Sequence, residues 1–262
     1  MTSGLVWADR ERDVVRVEGP DAAAFLHSQL AADVASLAVG ESCHSMLLDP
    51  TGHVVALLRV VRQTETLFTL DVEAGHGVAV IERLRRFVLR SKLVMEATNW
   101  VVRAFRGPGA AAAVGDVGGR CAPGWPSDDE IDVVGPREAL PAVPGARETE
   151  PGHIESLRVD ERWPSFGVDV LAGDVPATSG VLRAAVSFTK GCYPGQELVE
   201  RMDSRGAGAP VQLRVVPRGD LFPGARIEID GRDVGTVTSV GQERAIVRVA
   251  RNADIGEPIE SS

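Results

Sequence analysis

The sequence predicts an α+β protein, with helices packed on mixed or antiparallel sheets, followed by a small all-β unit that closes as a barrel. Three observations carry this. Two stretches with apolar residues at helical spacing, 19–39 and 76–90, alternate with apolar runs separated by turn residues. From Gly107 to Gly152 glycine, alanine and proline dominate, with one convincing strand at Ile131 to Val134. The last fifty residues break into short runs of period-two polarity. These changes divide the chain into residues 1–106, 107–209 and 210–262.

Gly19-Pro20-Asp21 suits a helix start, with proline in the first turn and an acid near the positive end of the dipole. Leu26, Leu30, Val34 and Leu37 then share a face, and Gly40 ends the helix. Two apolar runs about Pro50-Thr51-Gly52 read as a hairpin, and Thr66 to Val72 extends the strand set. Val80, Ile81, Leu84 and Val88 predict the second helix, and Lys92 to Arg106 is extended. His153 to Val159 forms a short helix. A long irregular segment from Asp160 to Val186 follows, of the kind that serves function in compact proteins. In the final unit Asp230-Gly231 marks a tight hairpin turn.

A net charge of −9 argues against sequence-independent binding to nucleic acid, which depends on Lys and Arg neutralising phosphates. No apolar run is long enough to span a membrane and the N-terminus has no signal-peptide pattern, so the expected compartment is the cytoplasm. Cys43, Cys121 and Cys192 are odd in number and widely spaced, and the five histidines are scattered. Neither a disulfide framework nor a metal site is expected.

Residues scarce elsewhere gather in Lys190-Gly191-Cys192-Tyr193-Pro194-Gly195-Gln196-Glu197. Only Lys92 and Lys190 are lysines, Tyr193 is the only tyrosine, and Cys192 is one of three cysteines. Gly191 and Gly195 allow a tight loop, and the good helix formers after Gly195 place Cys192 just ahead of a helix N-terminus. The positive end of that helix and the Lys190 ammonium would together favour a thiolate. Cys192 and Lys190 are therefore the candidate catalytic residues.

The octapeptide resembles the signature of the YgfZ family, folate-binding proteins of iron–sulfur cluster maturation that share a fold with the glycine-cleavage T-protein, an aminomethyltransferase. FLHSQLAADV from Phe25, LLDPTGHVVA from Leu47, RFVLRSKLV from Arg86, FGVDV from Phe166 and VGTVTSV from Val234 agree with it. The resemblance implies an aminomethyltransferase-like fold and a tetrahydrofolate pocket in the middle of the N-terminal region, under a C-terminal barrel. It implies activity through Cys192 and Lys190, with Gly191, Tyr193, Gly195, Gln196 and Glu197 positioning them. Asp169 matches the acidic position of the G-x-D/E stretch and is the candidate acceptor for pterin N–H groups. The implied partners are a folate-type small molecule and iron–sulfur assembly or client proteins, with tRNA modification as a dependent process.

Departures from the T-protein weigh against a conventional aminomethyl transfer. The family's aspartate pair after the glycine turn is replaced by His53-Val54-Val55-Ala56-Leu57, and the Tyr-Thr-Gly-Glu pterin segment is absent. Asp49 suits a role in the turn that follows it. The leading expectation is a tetrahydrofolate-binding accessory protein, and the alternative a folate-dependent one-carbon transferase.

Overall fold

The computed structural model describes residues 4–124, 127, 129–205 and 209–259, with Arg205 described by its backbone alone. Six α-helices are present among the described residues: α1 Ala22–Gln29, α2 Gly77–Arg85, α3 Ala110–Val114, α4 Pro151–Asp160, α5 Leu182–Ala185 and α6 Gln196–Arg205. None is long and apolar enough to cross a membrane.

Three five-stranded sheets organise the chain. The first runs Ser42–Leu48, Val54–Arg62, Leu67–Glu73, Arg12–Glu18 and Val94–Thr98 in spatial order, with every neighbour antiparallel. Leu26 of α1 and Val80, Ile81 and Leu84 of α2 join Met46, Leu58, Phe68 and Leu70 of this sheet in the main core. The second sheet runs Arg147–Glu148, Val6–Arg10, Val101–Arg106, Glu130–Gly135 and Arg120–Cys121, parallel only at its first pair. It takes strands from both sides of the Arg106–Gly107 junction.

The third sheet orders Arg226–Ile229, Arg232–Val240, Arg244–Ala250, Val211–Pro217 and Glu257–Pro258. It is barrel-like but not closed, since its two end strands do not pair among the described residues. Val216, Ile227, Val237, Ala245 and Val247 fill its own small core. Asp230 and Gly231 both have positive φ, 51° and 73°, as the tight hairpin requires.

The predicted helix over 19–39 is shorter than expected. It stops at Gln29, where Leu30 turns extended with φ −100° and ψ 153° and bridges Leu47. Ala31 N–H donates to the Met46 carbonyl at 3.0 Å and Ala32 N–H to Ser45 Oγ at 2.9 Å. The edge of the first sheet thus supplies the partners that another helical turn would have supplied. Leu30, Val34 and Leu37 are buried all the same, so the apolar spacing reports burial here and not helix. Lys92 to Arg106 likewise divides: Val94–Thr98 joins the first sheet and Val101–Arg106 the second.

Ion pairs tie these layers together. Arg59 lies opposite Asp71 across two strands of the first sheet and donates to it at 2.9 Å. Its Nη1 reaches Asp132 of the second sheet at 2.8 Å, and Arg106 donates to the other oxygen of Asp132 at 2.7 Å. Arg10 adds Glu155 of α4 at 2.8 Å. Burial alone would raise the Asp132 pKa, but Arg106, Arg59 and Arg10 outweigh it and hold the carboxyl far below its usual range. Mutual satisfaction is what permits so much charge between sheets.

Candidate functional site

The rare-residue loop is anchored on the C-terminal end of α1. Ser187 N–H donates to the Ala31 carbonyl at 2.9 Å. The Lys190 ammonium donates to the carbonyls of His27, of Leu30 at 2.7 Å and of Ala32 at 3.0 Å. The last carbonyls of a helix lack internal partners and carry negative partial charge, so they suit an ammonium. Burial lowers the Lys190 pKa to about 8, against the upward pull of Asp33 and Cys43. The ammonium expected beside the thiol is thus engaged by α1, and it lies 5.2 Å from the Tyr193 ring centroid.

Beyond Lys190, Gly191 and Cys192 are exposed, whereas Tyr193 turns into the main core at 7% exposure. The Tyr193 N–H donates to Gln196 Oε1 at 3.4 Å, and α6 begins at Gln196. Gly195 has φ 84° and meets Gly52, which has φ 92°: a Cβ on Gly195 would stand 2.7 Å from Gly52 Cα and 2.7 Å from the Asp49 carbonyl oxygen. Only glycine allows this backbone contact between loop and hairpin turn. Asp49 shapes the turn itself, its Oδ1 accepting from Thr51 N–H at 2.8 Å, Thr51 Oγ1 at 2.7 Å and His53 N–H at 3.0 Å.

The two segments enclose a cleft of about 480 Å³. Pro50, Tyr193 and Leu198 give it apolar walls, Cys192 a thiol, Gln196 an amide, Glu197 and Glu200 carboxylates, and Arg201 a guanidinium. That volume and mixture lie in the range of small-molecule sites. Cys192 is the exposed cysteine of the three. Burial pushes the Cys43 thiol up to about 12 and the Cys121 thiol higher still.

Asp169 is elsewhere, fully buried between α4 and the third sheet. One oxygen accepts from Arg158 at 3.0 Å and Ser165 N–H at 2.8 Å, the other from Thr238 at 2.5 Å and Ser239 at 2.7 Å. Those bonds make it a tie between layers. A pocket beside Arg59 is nearly closed. His44 packs against Trp163 with ring centroids 4.6 Å apart, Arg59 occupies the sheet interior, and about 20 Å³ remains. That is room for about one water.

Comparison with known proteins places this geometry. Residues 11–120 match the GCVT N-terminal domain. The chain is 25% identical over 257 residues to an uncharacterised Haemophilus influenzae protein, covering 92% of this chain and 87% of that one. It is 26% identical to the tRNA-modifying protein YgfZ of Edwardsiella ictaluri, covering 83% of this chain and 72% of that protein. The chain is thus similar over most of its length to YgfZ proteins. Its fold is that of the glycine cleavage system aminomethyltransferase T from Bartonella henselae, superimposing with a TM-score of 0.78 over 95% of this chain and 79% of that one at 22% identity.

Ala56, in the His53–Leu57 segment that stands in place of the T-protein's aspartate pair, is a fully buried strand residue. An aspartate there would have to ionise inside the core of the first sheet. Two buried charged groups escape a reading by motif. The Arg59, Asp71 and Asp132 cluster is signalled only by single charges interrupting apolar strands. Arg83, spaced as a surface arginine of an amphipathic helix, is 7% exposed.

Proposed function

We propose that this protein is a member of the YgfZ family that binds a folate-type ligand in the Cys192 cleft and acts as an accessory protein in the assembly or repair of iron–sulfur clusters, including those of enzymes that modify tRNA. The observation carrying this reading is an exposed free thiol on the rim of a cleft of about 480 Å³ whose other groups complement a heterocycle with an acidic tail. Glu197, Glu200 and Gln196 would pair with ring N–H and carbonyl groups, and Arg201 with a tail carboxylate. Tyr193, Leu198 and Pro50 would line the ring faces. A reduced folate, when bound, supplies a one-carbon carrier at a nitrogen. Lys190 serves as the anchor that sets the loop, and Cys192 as the group that meets the ligand or a client. Residues from Pro210 onward would form a β unit that shares Leu213, Val215 and Ile246 with the main core, beside the N-terminal folate-binding part, and the cytoplasm is the compartment this role requires.

Two measurements test the halves of the proposal. Isothermal titration of the full chain with 5-formyltetrahydrofolate is expected to show saturable binding, and its absence removes the ligand half. In cells lacking the protein, Cys192→Ala is expected not to restore the activity of an iron–sulfur enzyme. Full rescue would reduce the cysteine to a bystander. The aminomethyltransferase fold favours one alternative, a one-carbon transferase, which requires folate turnover with a purified amine donor. The buried Ala56 stands against it.

A further inference from the structure

Arg83 is 7% exposed, yet its guanidinium is poorly paired. Nη2 donates to the Leu48 carbonyl at 2.9 Å, while Nε and Nη1 are buried with no hydrogen-bond partner among the described residues. Burial and the neighbouring Arg86 both disfavour its charge, and Asp49 is the nearby acid that supports it. The Asp49 Oδ1 is already committed to Thr51 and His53. Buried donors without acceptors are costly, so a cation kept in this state is matched to something that arrives.

Arg83 lines a cleft of about 320 Å³ that borders the hairpin turn at Asp49 and Pro50 and does not include Cys192. Pro50, Val55 and Ala79 form an apolar floor, Arg86 adds a second cation, and Phe87 walls the side. The Arg83 guanidinium carbon lies 4.4 Å from the Phe87 ring centroid, and Phe87 is 38% exposed. Asp49 and Glu82 also border the cleft, which disfavours a polyanion such as a triphosphate.

We infer that this cleft is a second binding site, for an aromatic carboxylate whose ring lies against Phe87 and Val55 and whose carboxylate pairs with Arg83 and Arg86. Such a group has two sources. One is a free aryl acid. The other is the benzoylglutamate end of a folate-type ligand seated in the Cys192 cleft, which would place its glutamate carboxylate on Arg83 and Arg86 in place of Arg201, because Pro50 borders both clefts; this second source rests on the function proposed above, and the first does not.

Calorimetric titration of the full chain with benzoate and with 4-aminobenzoylglutamate tests the site. The expected result is saturable binding of at least one probe, weakened about tenfold in Arg86→Gln, as loss of one charge-assisted contact implies. Arg83→Met is expected to abolish it with an unchanged far-ultraviolet circular dichroism spectrum. Should Arg83→Met fail to fold, the exposed Arg86→Gln decides alone. No saturable binding to the wild type, or unchanged affinity in Arg86→Gln, overturns the site. Displacement of the probes by 5-formyltetrahydrofolate assigns the folate end as occupant; their simultaneous binding assigns a free acid. Either result leaves the site standing, whatever becomes of the proposed function.

Discussion

Gly52 and Gly195 meet backbone to backbone, each in the left-handed region, and this contact joins the hairpin turn to the Cys192 loop. Gly195→Ala is expected to cost about 1–3 kcal/mol, through a strained φ and a clash with Asp49 and Gly52. Thermal denaturation should show a melting point lower by several degrees, with weaker ligand binding at the cleft. An unchanged melting point would mean that the contact is not obligatory.

Lys190→Met removes an ammonium that donates to the His27 carbonyl in the last turn of α1 and to the Leu30 and Ala32 carbonyls just past it. The expected loss is about 2 kcal/mol in urea denaturation. Because the ammonium is committed to backbone carbonyls, the rate of Cys192 alkylation at pH 7.5 should match that of the wild type. A rate lower by about tenfold would restore Lys190 as the activator of the thiol.

Acid should destabilise the fold in two stages. Burial keeps His44 neutral down to about 3, so below the usual histidine value near 6.5 the unfolded chain takes up a proton that the fold refuses, and stability falls. Asp71, Asp132 and Glu155 have depressed pKa values, that of Glu155 about 2. Their contribution is complete above the unfolded carboxylate range near 4 and is lost as the pH falls through the folded values. The urea midpoint should therefore decline from about pH 6.5 and more steeply below about 4.5. Asp132→Asn should lose about 3–5 kcal/mol at neutral pH, by leaving buried arginines unpaired, and should flatten the steeper stage. A midpoint constant from pH 7 to 4 would contradict this account.

Thiol titration separates the cysteines. The folded protein should release one equivalent of colour quickly from Ellman's reagent at pH 7.5, through Cys192, with Cys43 and Cys121 reacting only on unfolding. Cys192→Ser should remove the fast phase. Two fast equivalents in the wild type would show that Cys43 is open.

Much of this architecture was legible from residue patterns, and the misses have physical causes. The strands around Pro50-Thr51-Gly52, helix α2, helix α4 and the start of α6 follow from period and turn chemistry. The overlong first helix arose because Leu30, Val34 and Leu37 are buried in irregular backbone, which leaves the same apolar spacing as a helix face. The octapeptide stood out by its rare residues, and the structure puts Cys192 on the border of a cleft. The direction of Lys190 was not legible, since its acceptors are backbone carbonyls some 160 residues earlier in the chain. Asp169 and Arg83 show the same limit: an isolated charge in sequence does not say whether its partners are supplied inside the fold.

Protection of Cys192 by ligand is the most direct measurement. The rate of its alkylation by iodoacetamide, followed on the tryptic peptide by mass spectrometry, should fall at least about tenfold when 5-formyltetrahydrofolate saturates the protein, if ligand and thiol share the cleft. An unchanged rate at demonstrated saturation would place the ligand elsewhere and contradict the account.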